Sequence, residues 1–104
     1  MPWKETLYER RLNRSLDEAS RLAIEAEYHR RKSEIPIATQ FAWHPSRPEL
    51  TIRSSMVSFI VEFTQDDRMI VNAEMGFAAR MLATQQNRGD AVRFIDSIVA
   101  DLGL

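Results

Sequence analysis

Residues 57–75, VSFIVEFTQDDRMIVNAEM, alternate between apolar and polar positions in two runs on either side of a polar centre. A period of two is typical of a β-strand with one buried face. If TQDDR forms a five-residue loop, every facing pair of odd-numbered residues is apolar, whereas a two-residue turn at Asp66–Asp67 would oppose apolar and polar faces. We therefore predict a hairpin with the pairs Phe63–Met69, Val61–Val71, Phe59–Ala73 and Val57–Met75.

The same period of two appears upstream, on both sides of the proline-containing loop HPSRPE. It predicts a second hairpin, which a two-residue turn at Ser55–Met56 would join to the first. Neither Ser nor Met favours a positive φ, so we expect a bulge or a wider turn at this point. The result is a four-stranded meander with one apolar face and the pairs Trp43–Leu50, Phe41–Ile52, Ile52–Phe59 and Leu50–Val61.

The opposite face of this sheet mixes polar and apolar residues. Ile60 and Ile70 are its large apolar residues. Small antiparallel sheets with a half-apolar second face often associate, and symmetric dimers are the commonest oligomers. We therefore predict that Ile60 and Ile70, together with Trp3, belong to an interaction surface. The even-numbered residues of this face are Ser58, Ile60, Glu62, Ile70, Asn72 and Glu74.

An amphipathic helix is predicted over residues 15–32. SLDE at 15–18 matches a capping box, in which Ser15 is the N-cap and Glu18 reaches back to it. The helix is predicted to end near Lys32, before the Ile-Pro dipeptide at 35–36. Its predicted buried stripe follows three- and four-residue spacing through Leu16, Ala19, Leu22, Ala23 and Ala26.

The segment that precedes Ser15, KETLYERRL, can alternate as a short strand. Its faces are ambiguous, because Trp3 and Leu7 fall on one side and Tyr8 and Leu12 on the other. We predict a strand at the edge of the sheet.

A second helix is predicted at the end of the chain. FAARMLA at 77–83 reads as one or two helical turns. TQQNRGD at 84–90 reads as a loop, with Asp90 as the N-cap of the last helix, or as a loosened stretch of one long helix. Gly103 is expected to stop this helix. Its apolar residues at helical spacing are Phe94, Ile95, Ile98, Val99 and Leu102.

A sheet with one apolar face needs a cover, and the two helices supply it. We therefore predict a single α+β domain over residues 1–104, in the order β-α-β-β-β-β-α. It has one antiparallel sheet of four or five strands, packed on one face by two amphipathic helices. A chain of 104 residues is expected to have one core.

Charge and composition narrow the classes of function. The formal net charge of −1 gives no overall field that would attract nucleic acid or an anionic membrane. The chain has no Cys, which excludes thiol chemistry and fits a cytoplasmic location. The start, MPWKETLYERR, lacks the apolar stretch of a signal peptide, and no apolar run is long enough to span a membrane.

No pattern of residues indicates catalysis. His29 and His44 fall on different elements, without the spacing of metal ligands. Glu62 and Glu74 share the outer face but lie several residues apart in the predicted register. Because catalytic carboxylates normally need a pocket that shifts their pKa, we interpret these two as solvated surface charges. We therefore predict no enzymatic activity, no cofactor and no metal site.

HRRK at 29–32 is a basic cluster beside Tyr28. Arg30, Arg31 and Lys32 could bind nucleic acid with stacking from nearby aromatic residues, or they could stabilise the carboxyl end of the helix through its dipole. We include these three cations in the predicted interaction surface.

The order of the predicted elements, with LDEA at 16–19, Trp43 before a loop and AEMGF at 73–77, resembles that of the polyhydroxyalkanoic acid system family, small bacterial proteins also called granule-region proteins. The resemblance covers nearly the whole chain. The chain departs from the family at SSMVS, 54–58, where the family tends to have glycines. The resemblance implies an association with storage-polyester metabolism and transfers no catalytic residue.

We therefore expect a small non-catalytic bacterial accessory protein that acts through protein or granule-surface contacts. The expected partners are a second copy, bound through a sheet face or edge to form a homodimer, and a granule-associated protein. Two alternatives stay open, namely a binder of a hydrophobic small molecule between helix and sheet, and a nucleic-acid-binding module that uses residues 29–32.

Overall fold

The computed structural model describes residues 3–34, 39–54, 57–75 and 85–104. The predicted α+β class and element order are confirmed, with one antiparallel sheet of five strands and two helices. A short 3₁₀ helix, Lys32–Glu34, follows the first helix. The elements are β1 (Trp3–Arg11), α1 (Glu18–Arg31), β2 (Gln40–Trp43), β3 (Glu49–Arg53), β4 (Val57–Phe63), β5 (Arg68–Met75) and α2 (Gln85–Asp101).

The strands lie in the order β1-β5-β4-β3-β2, so that β1 and β2 are the edges of the sheet. The predicted edge position of the first strand is therefore confirmed. All the predicted pairs of the meander are present, for example Val61 with Val71 and Ile52 with Phe59. One apolar face determines register because a slip of one residue would turn every large side chain outward.

The antiparallel pairing of β3 with β4 continues up to the turn between them. Arg53 pairs with Ser58, and the N–H of Ser54 donates to the backbone oxygen of Val57 over 2.8 Å. The bulge or wider turn that we expected falls on Ser55–Met56, which lies outside the described residues.

A β-bulge at Leu7 explains the ambiguous faces of β1. Thr6 pairs with Asn72, but Tyr8 pairs with Val71, so that Leu7 is an extra residue in the ladder. The alternation changes phase at this point. Tyr8 consequently lies on the helix-covered face, and Leu7 packs against Ala73 on the same side.

The start and the buried face of α1 differ from the prediction. The N-cap is Asp17 and not Ser15, because the Asp17 carboxylate accepts the N–H of Ser20 over 2.7 Å. The buried residues of the helix are Ser20, Ile24 and Tyr28. The predicted stripe is wrong at three of its positions, since Ala19, Leu22 and Ala26 are exposed. The predicted end is confirmed, with Lys32 as the C-cap.

The second helix begins at Gln85, five residues before the predicted Asp90 cap, and continues through Asp90. The helical turns predicted at 77–83 lie outside the described residues. Gly103 ends the helix as predicted, with a φ of 71°. The N–H groups of Gly103 and Leu104 donate to the oxygens of Ala100 and Val99, which is the Schellman motif.

Both helices pack on the face of the sheet that carries the odd-numbered residues of β4 and β5. Val61, Met69 and Val71 have no exposed surface. They meet Ile24 and Tyr28 from α1 and Ile95, Ile98 and Val99 from α2 in one cluster. Since each large side chain buried in this way contributes about 1.5–3 kcal/mol, this layer holds the fold together.

Candidate interaction surfaces

Ile60 and Ile70 lie on the outer face, the side of the sheet opposite to α1 and α2. Ile60 pairs with Asn72, and Ile70 pairs with Glu62, so the two isoleucines are diagonal neighbours on adjacent strands. Both are half-buried. The structure therefore brings together two of the six residues of the predicted interaction surface.

The outer face holds a buried polar residue beside Ile60. Asn72 is only 4% exposed, although it lies on this face. The hydroxyl of Thr6 donates to the amide oxygen of Asn72 over 2.7 Å. This hydrogen bond compensates for the removal of a polar group from water.

Two carboxylates, those of Glu49 and Glu62, lie near the isoleucines on the β3 side. Glu49 pairs directly with Glu62 across β3 and β4. The Arg47 guanidinium lies 3.9 Å from the Glu49 carboxylate, whose side chain is 15% exposed, and this cation offsets the like charges. Glu74 pairs with Ser58, which confirms that Glu62 and Glu74 are not a cross-strand pair.

Trp3 is separated from the isoleucines by register. It pairs with Met75, which pairs in turn with Val57. That position belongs to the odd-numbered set of β4 and β5, whereas Ile60 and Ile70 belong to the even-numbered set. The register does not group Trp3 with them.

Arg31 joins the two helices. Its Nε lies 2.8 Å from the Glu27 carboxylate, and its Nη2 lies 2.5 Å from that of Asp101. Its Nη1 donates to the hydroxyl of Ser97 over 3.2 Å. The hydrogen bond to Asp101 raises the pKa of Arg31 above its usual range. The Arg31 side chain is only 13% exposed, and its guanidinium is engaged in these contacts within the fold.

Arg30 and Lys32 are exposed. Arg30 lies 2.6 Å from Glu27, and its hydrogen bond lowers the pKa of that carboxyl. The basic cluster at 29–32 therefore divides between outward-facing cations and Arg31, which links the helices.

A partly buried cluster of ionisable groups joins β1 to α2. The hydroxyl of Tyr8 donates to Asp96 Oδ1 over 3.1 Å, and Arg10 Nη1 donates to the same oxygen over 2.6 Å. Burial, followed by the hydrogen bond to Asp96, raises the pKa of Tyr8. The prediction missed this cluster because it did not include the bulge at Leu7. The spacing of Tyr8, Arg10 and Leu12, two residues apart, was the available signal.

The two histidines make separate contacts in different parts of the fold. The Nδ1 atom of His44 accepts the N–H groups of Ser46 and Arg47, each over 3.1 Å, and so holds the loop between β2 and β3. His29 is exposed, with its ring 6.3 Å from that of Phe41. Among the residues that the structure describes, no group of three His, Asp or Glu side chains could hold a metal ion.

An open groove lies between the amino-terminal half of α1 and the end of β2. The Arg21 guanidinium lies 5.3 Å from the ring centroid of Trp43, within the range of a cation–π contact. Leu22 is 63% exposed and is the exposed large hydrophobic residue of the described part of the chain. The groove was not predicted, because the predicted helix stripe placed Leu22 in the core. The groove is lined by Leu16, Asp17, Glu18, Arg21, Leu22, Glu25 and Trp43.

The space between α1 and the sheet is nearly filled. A cavity of about 20 Å³ remains, lined by Ile24, Tyr28, Phe41 and neighbouring core residues. This volume is close to that of a single water probe, whereas small-molecule sites typically enclose about 300–1,000 Å³. The described layer therefore has no room for a hydrophobic ligand.

None of the helices in the described ranges is both long and apolar enough to cross a membrane. Comparison of the chain with family models, curated proteins and solved structures finds no match.

Proposed function

We propose that this chain is a small non-catalytic accessory protein whose outer sheet face contacts another protein or a granule surface. The observation that carries the proposal is the diagonal pair of Ile60 and Ile70, on the sheet face opposite to both described helices. Side chains on an ordered sheet lose little conformational entropy when a partner covers them, so that more of the burial energy remains for binding.

Structural roles account for three of the ionisable groups whose pKa values are shifted. Asp17 caps α1, Arg31 links α1 to α2, and Tyr8 links β1 to α2 through Asp96. Ion pairs and caps perturb pKa values without any catalytic role. These assignments support a protein that acts by binding.

The proposed surroundings are polyhydroxyalkanoate granules in the bacterial cytoplasm, with a granule-associated protein as the partner. The support is the resemblance carried by LDEA at 16–19, Trp43 and AEMGF at 73–77. A storage polyester presents an apolar surface to water. A sheet face that combines isoleucines with charged residues is suited to such a boundary, because it can bury the former and keep the latter solvated.

The proposed assembly is a homodimer formed through a sheet face or edge. Its support is that β1 and β2 both end the sheet, and that Leu22 is exposed beside one of these edges. Symmetric dimers are the commonest way to cover such surfaces.

The test is co-sedimentation with isolated polyhydroxyalkanoate granules. The wild-type protein should sediment with the granules, and Ile60→Thr/Ile70→Thr should bind roughly tenfold more weakly because it removes apolar surface but keeps residues that favour strands. Val92→Thr on α2, a half-buried apolar residue away from this face, is the matched control and should bind as the wild type does. Wild-type protein that stays in the supernatant, or equal binding by the double variant, would contradict the proposal.

The two alternative functions have less support. The cavity of about 20 Å³ leaves a hydrophobic small molecule no space within the described layer. In the 29–32 cluster, Arg31 is engaged with Glu27 and Asp101, which weakens a nucleic-acid surface built on that cluster.

A further inference from the structure

The outer edge of β2 has backbone groups that the described strands leave unpaired. The N–H of His44 donates to the backbone oxygen of Glu49 over 2.7 Å, so this facing pair is of the hydrogen-bonded type. The two types of pair alternate along an antiparallel ladder, and Phe41 and Trp43 are therefore non-hydrogen-bonded positions toward β3. Their N–H and C=O groups point away from β3, where no other described strand pairs with them.

The two edges of the sheet differ in charge and in regularity. β1 has a bulge at Leu7 and five charged residues in nine, WKETLYERR, and both features discourage pairing with another strand. β2, with the sequence QFAW, has neither a charge nor a bulge. Of the two, β2 is the edge that favours the addition of a strand.

The groove beside α1 lies along this edge. The Arg21 guanidinium lies over the ring of Trp43, and the rings of Tyr28 and Phe41 are 4.9 Å apart, so α1 runs along β2 in the opposite direction. The described lining of the groove comes from α1, the two residues before it and Trp43 of the edge strand. A strand added to β2 would therefore place the side chains of one of its faces in the groove.

The lining of the groove is acidic around an exposed leucine. Three carboxylates and one guanidinium line it, and Leu22 is 63% exposed between them. The carboxylate of Asp17 caps α1, and the guanidinium of Arg21 lies over Trp43. Among the described residues, neither Glu18 nor Glu25 has an ion-pair partner. This charge pattern is complementary to a segment that combines cations with an apolar side chain.

We infer that this edge binds an extended basic segment of a partner protein. The segment pairs antiparallel with β2, and its backbone exchanges hydrogen bonds with Phe41 and Trp43. Facing residues in a sheet point to the same side, so the residues opposite these two direct their side chains toward α1. This surface goes beyond the proposed function, because it is separate from the outer face that carries Ile60 and Ile70.

The spacing along α1 specifies the sequence of the segment. Glu18 and Glu25 are seven residues apart on one side of the helix, a distance of about 10 Å at 1.5 Å per residue. Side chains on one face of a strand recur every second residue, so residues i and i+4 are about 13 Å apart. Lys or Arg at these two positions can reach the two carboxylates, and an apolar residue at i+2 meets Leu22 and Trp43. The recognised pattern is therefore cation-x-apolar-x-cation.

Three peptides of equal length test this pattern against the full chain. Thr-Lys-Thr-Leu-Thr-Lys-Thr has the pattern, and Thr-Thr-Lys-Lys-Leu-Thr-Thr has the same composition without it. Thr-Glu-Thr-Leu-Thr-Glu-Thr has the spacing with reversed charge. Fluorescence anisotropy of the labelled peptides should show saturable binding of the first below about 1 mM, and roughly tenfold weaker binding of the other two.

A charge reversal in the protein tests the assignment of the two glutamates. Glu18→Lys/Glu25→Lys should lose the preference for the Lys peptide and bind the Glu peptide roughly tenfold more tightly than the wild type does. Glu34→Lys, at an exposed position outside the groove, is the control and should keep the wild-type preference. A gain of binding cannot result from loss of folding, and circular dichroism checks each variant.

Methylation of single peptide nitrogens tests the addition of a strand. In the inferred pairing, the N–H of the peptide's Leu donates to the backbone oxygen of Trp43, whereas the N–H groups of the flanking Thr residues point away from β2. N-methylation of the Leu should therefore abolish binding. N-methylation of the Thr that follows it is the matched control and should leave binding intact.

Four results would overturn the inference. They are no saturable binding of the Lys peptide, equal binding of the patterned and rearranged Lys peptides, an unchanged preference in Glu18→Lys/Glu25→Lys, and binding that survives methylation of the Leu. A wild-type dimer that the Lys peptide dissociates would also overturn it, because a second copy would then occupy this edge. Loss of granule binding by Ile60→Thr/Ile70→Thr bears on the proposed function alone, since that variant should keep the wild-type affinity for the Lys peptide.

Discussion

Leu12 donates its backbone N–H to the backbone oxygen of Asp67 over 2.7 Å, and so fastens the segment between β1 and α1 to the turn between β4 and β5. The hydroxyl of Ser15 donates to the Asp67 carboxylate over 2.7 Å. Asp67 has a φ of 59°, in the left-handed region. Aspartate tolerates this region better than most residues because its short polar side chain can form hydrogen bonds locally.

Substitutions at Asp67 should therefore separate backbone strain from the side-chain hydrogen bond. Asp67→Asn keeps both the tolerance of a positive φ and an acceptor for Ser15, and should be nearly neutral. Asp67→Ala loses both and should lower the free energy of unfolding by about 1–2 kcal/mol. Asp67→Gly should fall between them. Urea denaturation measures these differences, and an Ala variant as stable as the Asn variant would contradict the assignment.

Val61 has no exposed surface and stands at the centre of the core. Val61→Ala removes two methyl groups and leaves a cavity, so it should cost about 2–3 kcal/mol in urea denaturation. Val61→Asp should prevent folding, because an unpaired carboxylate would enter the core. Ile60→Val on the outer face should cost only about 0.5 kcal/mol. Comparable losses at positions 60 and 61 would mean that the two faces are misassigned.

Arg31 and Arg30 are adjacent in sequence but differ in their contacts. Arg31→Gln removes ion pairs with Glu27 on α1 and Asp101 on α2, and should lower Tm by several degrees. Arg30→Gln is the matched control. It removes a pair within one helix at a side chain that is 65% exposed, and should change Tm little. Thermal melts followed by circular dichroism would contradict the interpretation if both variants lost the same stability.

Tyr8 should make stability dependent on pH in the alkaline range. Burial and the hydrogen bond to Asp96 raise its pKa above the ordinary value of 10.0. Its contribution is therefore complete below that pH and is lost as the pH rises through the raised pKa. The difference in Tm between wild type and Tyr8→Phe should hold from about pH 7 to about pH 10 and then shrink. Asp96→Asn should bring the ionisation of Tyr8 to a lower pH, as followed by tyrosinate absorbance. A difference in Tm that stays constant into the alkaline range would contradict it.

The register of β2 to β5 was predictable because one face of the sheet must be apolar. A two-residue turn at Asp66–Asp67 would set the polar Asn72 against Val61, and the structure has the register without this conflict. The phase of β1 was not predictable by the same rule. A bulge adds one residue without any fixed sequence pattern, and only the pairing of Thr6 and Tyr8 with β5 shows it.

The buried face of α1 was predicted wrongly because the helix has two apolar stripes. Spacing alone counts Ala19 and Ala26 as equal to Ile24 and Tyr28. Burial favours the larger side chains, because they remove more apolar surface from water. The structure buries Ile24 and Tyr28 and leaves Leu22 exposed. Weighting the stripes by side-chain size would have chosen the correct face.

Only part of the candidate surface could be predicted. Ile60 and Ile70 followed directly from the alternation within β4 and β5. The links made by Arg31 to Asp101 and by Arg10 to Asp96 join residues far apart in sequence, and their contacts depend on where α2 lies on the sheet. Short-range spacing contains no information about that placement.

The extra residue at Leu7 bears on the size of the proposed assembly. A molecule with one edge strand open to pairing forms a closed dimer, but a molecule with two such edge strands would grow without limit into filaments. Removing Leu7 would straighten the outer strand and leave its partners on β5 unchanged, since Thr6 and Tyr8 already pair with consecutive residues there. If the proposed homodimer forms through the other edge of the sheet, this single irregular residue keeps the association finite.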